Sequence, residues 1–188
     1  MGRRDLVVIG GGSGGLVVAS VAARLGLHVT LIEAEAKLGG DCLHYGCVPS
    51  KALIHAAKVA ETVRRASEYG LSTGELGAVD LARVNAAVQE RIGVIQQHDD
   101  AERFRAYGCE VLFGPARFTG PDTVEVNGLE LRARRIVIAT GSAAFIPPID
   151  GLEDAGFITN REVFSLQALP PRLAVLGGGP VGGELAQA

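Results

Sequence analysis

Cys42 and Cys47 lie five residues apart in GGDCLHYGCVPSK, residues 39–51, in a chain of 188 residues with three cysteines in all. Two thiols this close suit a structural staple, a metal site or a working redox pair. A regular helix cannot bridge them: five residues give a rise of about 7.5 Å and a net turn of about 140°, leaving the Cα atoms about 8.7 Å apart. A disulfide tolerates about 7 Å, and an extended strand is worse. A bonded pair therefore needs a bent segment, which Gly46 allows. Pro49 suits the first turn of a helix, placing Cys47 near that helix's positive end, where a thiolate is favoured. The combination points to a reactive pair rather than a staple. Zinc is the competing reading, with Cys42, His44, Cys47 and His55 as candidate ligands. Their spacing matches no usual zinc pairing, so no metal is expected. Cys109 stands alone in an apolar run, as a small buried hydrophobe would.

A second chemistry lies upstream. Gly10, Gly12 and Gly15 spell G-x-G-x-x-G between an apolar run, DLVVIG, and a helical pattern, SGGLVVASVAARLG. The first glycine permits a tight turn, the second lets a pyrophosphate approach the backbone, and the third lets helix and strand pack closely. The helix N-terminus offers unpaired N–H groups to phosphates. Glu33 ends the next apolar run, HVTLIE, 18 residues past Gly15, where an acid meets a ribose hydroxyl. The pattern predicts dinucleotide binding without distinguishing FAD from NAD. Gly177, Gly179 and Gly182 repeat it in AVLGGGPVGG, an echo of VVIGGGSGG near the start.

These sites need elements to hold them. A strand, a helix and a strand over the first 33 residues make a βαβ unit. Helices are predicted from Pro49 to about Tyr69 and from Asp80 to about Tyr107, the latter with Leu81, Val84, Val88, Ile92 and Ile95 at helical spacing. The stretch GLSTGELG between them is a predicted loop. CEVLFG, ARFTG, TVEVNG and LELRA are predicted as a small antiparallel meander, and RIVIATGS as a separate buried strand. FIPPIDG is an extended connection, NREVFSLQAL a short helix, and RLAVLGGGPVGGELAQA a second strand–glycine–helix unit. A βα unit cannot bury its own faces, so the chain is expected to be part of a longer protein; an extra strand and helix docked on the first domain is the alternative.

Composition narrows the classes. With 18 basic and 21 acidic residues the net charge is −3, which offers no electrostatic footprint for nucleic acid. Hydrophobic residues make up 47% of the chain, enough for a sizeable core. The uncharged stretch from Leu6 to Ala23 has the length of a signal or membrane segment, but five of its residues are glycines, which break an apolar helix. No membrane association is expected, and the cytosol is the default compartment, where a static disulfide is rare.

Taken together, GGDCLHYGCVPSKALI, VVIGGGSGG, IVIATGS and LGGGPVGGELAQA, in this order, resemble the flavoprotein disulfide reductases, the class I pyridine nucleotide-disulfide oxidoreductases. The branch containing mercuric reductase and dihydrolipoamide dehydrogenase is the most similar. The resemblance implies an α/β fold: a Rossmann-like FAD-binding βαβ domain with a small antiparallel meander (residues 1–150, its return segment absent), a linker (151–172) and the start of a Rossmann-like NAD(P)-binding domain (173–188). It implies electrons passing from NAD(P)H through FAD to a Cys42–Cys47 disulfide, and then to a disulfide or metal-ion substrate. Cys42 would face substrate, Cys47 would lie against the flavin as the charge-transfer thiolate, and Lys51 would sit near the flavin ring with Glu184 as its partner. Ser13, Gly14, Gly40, Asp41, Thr140 and Gly141 join the glycine fingerprints and Glu33 as expected cofactor contacts. Pro180 stands where several members carry an aromatic gate, and none of the four histidines matches the family's acid–base histidine. The resemblance thus implies a homodimeric parent and no turnover by these 188 residues alone. A non-catalytic fragment, or an NAD-binding module with a cysteine switch, remains the alternative.

Overall fold

The computed structural model describes residues 2–72 and 74–188. In chain order the elements are β1 (Arg4–Ile9), α1 (Ser13–Arg24), β2 (Val29–Glu33), α2 (Gly40–His44), α3 (Cys47–Arg64), α4 (Leu81–Gln96), α5 (Ala101–Ala106), β3 (Cys109–Phe113), β4 (Ala116–Gly120), β5 (Thr123–Val126), β6 (Leu129–Ile138), α6 (Leu152–Ala155) and α7 (Pro180–Gln187). Single 3₁₀ turns cover Ala66–Tyr69 and Val163–Ser165. The expected loop at 70–77 includes Thr73, outside the described residues.

The chain forms two compact units. One holds the chain up to Leu43 together with Val94–Ala143; the other holds His44–Gly93 and Ala144–Ala188. The first is built on a six-stranded sheet of order β3-β2-β1-β6-β5-β4, with a Rossmann-like βαβ start. Side chains alternate faces along each strand. Leu6 and Val8 therefore join Leu16, Ala19, Ala22, Ala23 and Phe104 under α1 and α5, while Val7 and Ile9 join Val124, Val126, Leu131 and Ala133 on the other face.

Several expectations are corrected here. β3 is not part of the meander: it runs parallel to β2, with Leu31 opposite Val111. The long crossover between β2 and β3 supplies the length a parallel partner needs. LELRA and RIVI are one strand, because no turn-forming residue separates them. β6 pairs antiparallel with β5 through Leu131 and Val124, then parallel with β1 through Val137 and Val8. Arg132, Arg134 and Arg135 are thus exposed mid-strand residues. The predicted helix 80–107 is two helices, because Asp100 caps a fresh start: its side chain accepts the Glu102 N–H at 3.4 Å.

Of the positions its spacing predicts, α4 buries Leu81, Val88 and Ile92, while Val84 is half-buried and Ile95 exposed; Asn85 is buried instead. The short helix expected at 160–169 is only the 3₁₀ turn. Leu173–Leu176 form no strand; they are exposed and find no strand partner among the described residues, and a lone strand has nothing to pair its backbone.

A polar cluster ties the first three parallel strands together. Arg4 on β1 is 6% exposed; its Nε donates to Thr30 Oγ1 (3.3 Å) on β2 and its Nη2 meets Glu110 Oε2 (2.9 Å) on β3. Thr30 Oγ1 also donates to Glu110 at 2.7 Å. Burial pushes the Glu110 carboxyl up, but the Thr30 hydroxyl and Arg4 guanidinium outweigh it and hold the group below the usual carboxylate range. A folded-state value that is depressed stabilises above the unfolded value and is lost as pH falls through the folded one. We therefore expect Arg4→Met to cost about 0.5–1.5 kcal/mol near neutral pH, the range for one lost hydrogen bond, since the half-buried Glu110 keeps Thr30. A urea-midpoint series run downward in pH should show that difference shrinking below the ordinary Glu range.

Candidate functional site

The first glycine loop is a place where backbones touch. A Cβ on Gly15 would lie 1.8 Å from the Gly10 carbonyl oxygen. Gly10 has φ +106°, and a Cβ there would lie 2.2 Å from the Ala139 carbonyl oxygen. Ala139 N–H donates to Ile9 O at 2.8 Å, which brings the segment carrying Thr140 and Gly141 over the end of β1. From the other side Gly39 N–H donates to Gly11 O at 2.8 Å, and a Cβ on Gly40 would lie 2.6 Å from Gly12 Cα. Gly12 caps α1 without a side-chain hydrogen bond, and no acid occupies the first turn. The first-turn N–H groups, on Ser13 and the two glycines after it, therefore have no intrahelical acceptors. Ser13 and Gly14 are exposed, as are Asp41 and Gly141.

Glu33 is 8% exposed at the end of β2. Its Oε2 accepts the Gly11 N–H at 2.6 Å and its Oε1 accepts the Glu35 N–H at 2.7 Å. A carboxylate has about four acceptor positions, so two remain for hydroxyl donors. The structure thus gathers Gly10, Gly12, Ser13, Gly14, Gly15, Glu33, Gly40 and Thr140 around one loop, all in the first unit. Gly39 was not assigned from the sequence; the paired glycines at 39–40 were the available signal for close backbone approach.

In the second unit Gly177, Gly179 and Gly182 repeat the arrangement on a smaller scale. Gly177 has φ +105°, a Cβ on Gly182 would lie 2.3 Å from its carbonyl oxygen, and Gly179 caps α7 with Pro180 at its start.

Cys42 lies on α2, and Cys47 is the first residue of α3. The two helices are interrupted at Tyr45–Gly46, where Gly46 takes φ −133° and ψ −115°. The helical run is therefore broken between the two cysteines. One turn beyond Cys47, Lys51 Nζ meets both carboxylate oxygens of Glu184 on α7, at 2.5 and 2.6 Å. These residues are 133 positions apart in the chain. Ser50, 7% exposed, donates through Oγ to Glu184 Oε2 at 3.3 Å. Ser50 was not singled out from the sequence; its place between Pro49 and Lys51 was the only signal. The hydrogen bond from Lys51 holds the Glu184 carboxyl below its ordinary range against a smaller effect of desolvation. Cys109 lies in the core of the first unit, its Sγ 3.5 Å from Ala19 O, and burial pushes its thiol up. Among the described residues no three His, Cys, Asp or Glu side chains gather as metal ligands, and no helix is long and apolar enough to cross a membrane.

A parallel sheet with a glycine cradle at a helix N-terminus and an acid closing β2 defines a dinucleotide-binding α/β protein. Residues 4–188 match the family profile described as pyridine nucleotide-disulphide oxidoreductase, and the chain belongs to that family. It is 36% identical to the dihydrolipoyl dehydrogenase of Acholeplasma laidlawii over 97% of its own length and 55% of that protein's. It is 35% identical to the mercuric reductase of Lysinibacillus sphaericus, over 97% of this chain and 33% of the relative. Among solved structures it is similar to the HOCl-induced flavoprotein disulfide reductase RclA of Escherichia coli, with a TM-score of 0.80 and 29% identity over 97% of this chain and 38% of that one. The chain thus spans from about a third to just over half the length of these relatives. The family uses FAD and NAD(P)H, and the cradle fits an ADP moiety: its glycines leave room for pyrophosphate, and Glu33 keeps free acceptors for a ribose.

Three outcomes follow. Gly15→Ala should destabilise the fold by at least about 1–3 kcal/mol, because overpacking here meets backbone rather than a movable side chain. Gly14→Ala, with nothing within 4 Å of its Cβ, should stay within about 0.5 kcal/mol of wild type in the same urea titrations. In an NMR pH titration, Lys51→Met should move the Glu184 carboxyl upward. The ion pair is present above the unfolded Glu value and lost as pH falls through the depressed folded one.

Proposed function

We propose that this chain is the flavin-binding portion of an oxidoreductase that passes electrons from NAD(P)H through FAD to a Cys42–Cys47 disulfide, and from there to a disulfide or metal-ion substrate. The start of α3 carries the reading: Cys47 opens the helix and Lys51, one turn on, meets Glu184. Bound FAD would supply two-electron transfer, which matches a dithiol–disulfide couple without an odd electron. The glycine cradle would hold the pyrophosphate, with Glu33, Thr140, Gly141 and Asp41 around the nucleotide. Cys47 would take the electrons, releasing Cys42 as the thiolate that attacks substrate. The Lys51 cation would stabilise negative charge near the reacting sulfur, with Glu184 keeping it in place.

Residues 1–150 would form the flavin domain, 151–172 a linker and 173–188 the opening of a nicotinamide domain. Substrates of the class acted on by dihydrolipoyl dehydrogenases and mercuric reductases are the nearest guide. A cytosolic location suits a pair that must be repeatedly reduced, and a homodimeric parent rests on family likeness. These residues alone would bind cofactor without turnover.

The test is spectroscopic. The chain incubated with FAD and then desalted should remain yellow, and limiting dithiothreitol should change its long-wavelength flavin absorbance. Cys47→Ser should retain the colour and lose at least about nine-tenths of that change. A colourless preparation, or a change equally present in Cys47→Ser, would overturn the reading.

A further inference from the structure

The residues between the two thiols are held from a distant part of the chain. Tyr45 sits in the two-residue linker between α2 and α3. Its backbone carbonyl accepts from Asn160 Nδ2 at 3.0 Å, and the Arg161 guanidinium lies 4.8 Å from its ring centroid. The ring of His44, the last residue of α2, stands 5.9 Å away. Asn160 and Arg161 are neighbours, so one short turn delivers both contacts, across 115 residues of sequence.

That turn is built to stay put. Thr159 donates through N–H (2.7 Å) and Oγ1 (2.6 Å) to Glu162 Oε2, and Thr159 Oγ1 accepts the Arg161 N–H at 3.2 Å. The Glu162 carboxylate reaching back to the Thr159 N–H is one half of a capping box. Beyond it Phe164 is 3% exposed, and Leu166 O accepts from the buried Asn85 Nδ2 at 2.8 Å. The C-terminal side of the turn is therefore tied down, and all of these residues belong to the second unit. The linker they hold contains Gly46, the residue with the greatest backbone freedom.

We propose that Asn160 and Arg161 are positioning residues: by pinning Tyr45 they hold the linker bent and so set the dithiol–disulfide equilibrium of Cys42 and Cys47. This rests on reading the two cysteines as a redox pair. A linker already ordered loses less entropy when the sulfurs bond, so the clamp favours the disulfide. It acts through the backbone carbonyl and the ring of Tyr45.

The test equilibrates the 188-residue chain in glutathione buffers of graded ratio. Glutathione disulfide accepts two electrons and two protons from the dithiol, giving two glutathione thiols and one protein S–S bond. After acid quench and denaturation, maleimide labels Cys42, Cys47 and Cys109 in the dithiol form and Cys109 alone in the disulfide form. The double variant Asn160→Ala, Arg161→Leu should lower the equilibrium constant for disulfide formation about tenfold, moving the midpoint about 30 mV to less negative potential. Arg161→Lys, which keeps a cation over the ring, should stay within about threefold of wild type. Far-UV circular dichroism checks folding. If the double variant does not fold, Tyr45→Leu, which removes the ring under Arg161, gives the same reading with a shift in the same direction. Folded variants with the wild-type equilibrium, or with one moved toward the disulfide, would overturn the clamp and leave the redox pair standing. A wild-type chain that forms no Cys42–Cys47 disulfide in any buffer would overturn the redox reading and the clamp with it.

Discussion

Backbone meeting backbone, with no room for even one methyl group, is the constraint on which the first unit depends. The end of β1, the start of α1, the segment after β6 and the Gly39–Gly40 turn all converge on the loop from Gly10 to Gly15. Dense packing of this kind cannot yield to a side chain, because the atom it would meet is a peptide oxygen or Cα. The same closeness leaves the α1 N-terminus uncovered by side chains, and an uncovered helix N-terminus is a natural seat for phosphate. Structural necessity and anion binding thus come from one arrangement.

Glu33 shows how the sheet feeds this loop. Its β2 position places the carboxylate beside Gly11 N–H, and two backbone donors hold it there. Charge-assisted bonds of this type orient a group more firmly than neutral ones. At the opposite end of the same strands Arg4, Thr30 and Glu110 tie β1, β2 and β3 together. The strands are apolar between these two polar ends, so their register leaves little freedom for the loop they carry.

In the second unit the organising feature is the start of α3. Ser50 and Lys51 both reach Glu184 from its first turn, and the linker before Cys47 is held by the capped turn at 159–162. Surface ion pairs contribute little to stability, and Lys51 is 60% exposed, so the Lys51–Glu184 contact is better understood as orientation than as reinforcement.

The local motifs were legible in the chain. Glycine spacing, the acid after β2, the cysteine pair before a proline and the helical periodicity of 81–95 all act through near neighbours, and near neighbours are what a sequence displays. The bent linker followed from the same local geometry. The partners of β3 and the continuity of β6 were decided by which strand edges needed pairing. The unpaired state of Leu173–Leu176 has the same origin: a strand exists only with a neighbour. The link from Lys51 to Glu184 needed the family likeness to be suspected, and the reach of Asn160 and Arg161 to Tyr45 was not visible at all. Contacts between residues more than a hundred positions apart leave no periodic trace in either segment, so only the folded chain could bring them together.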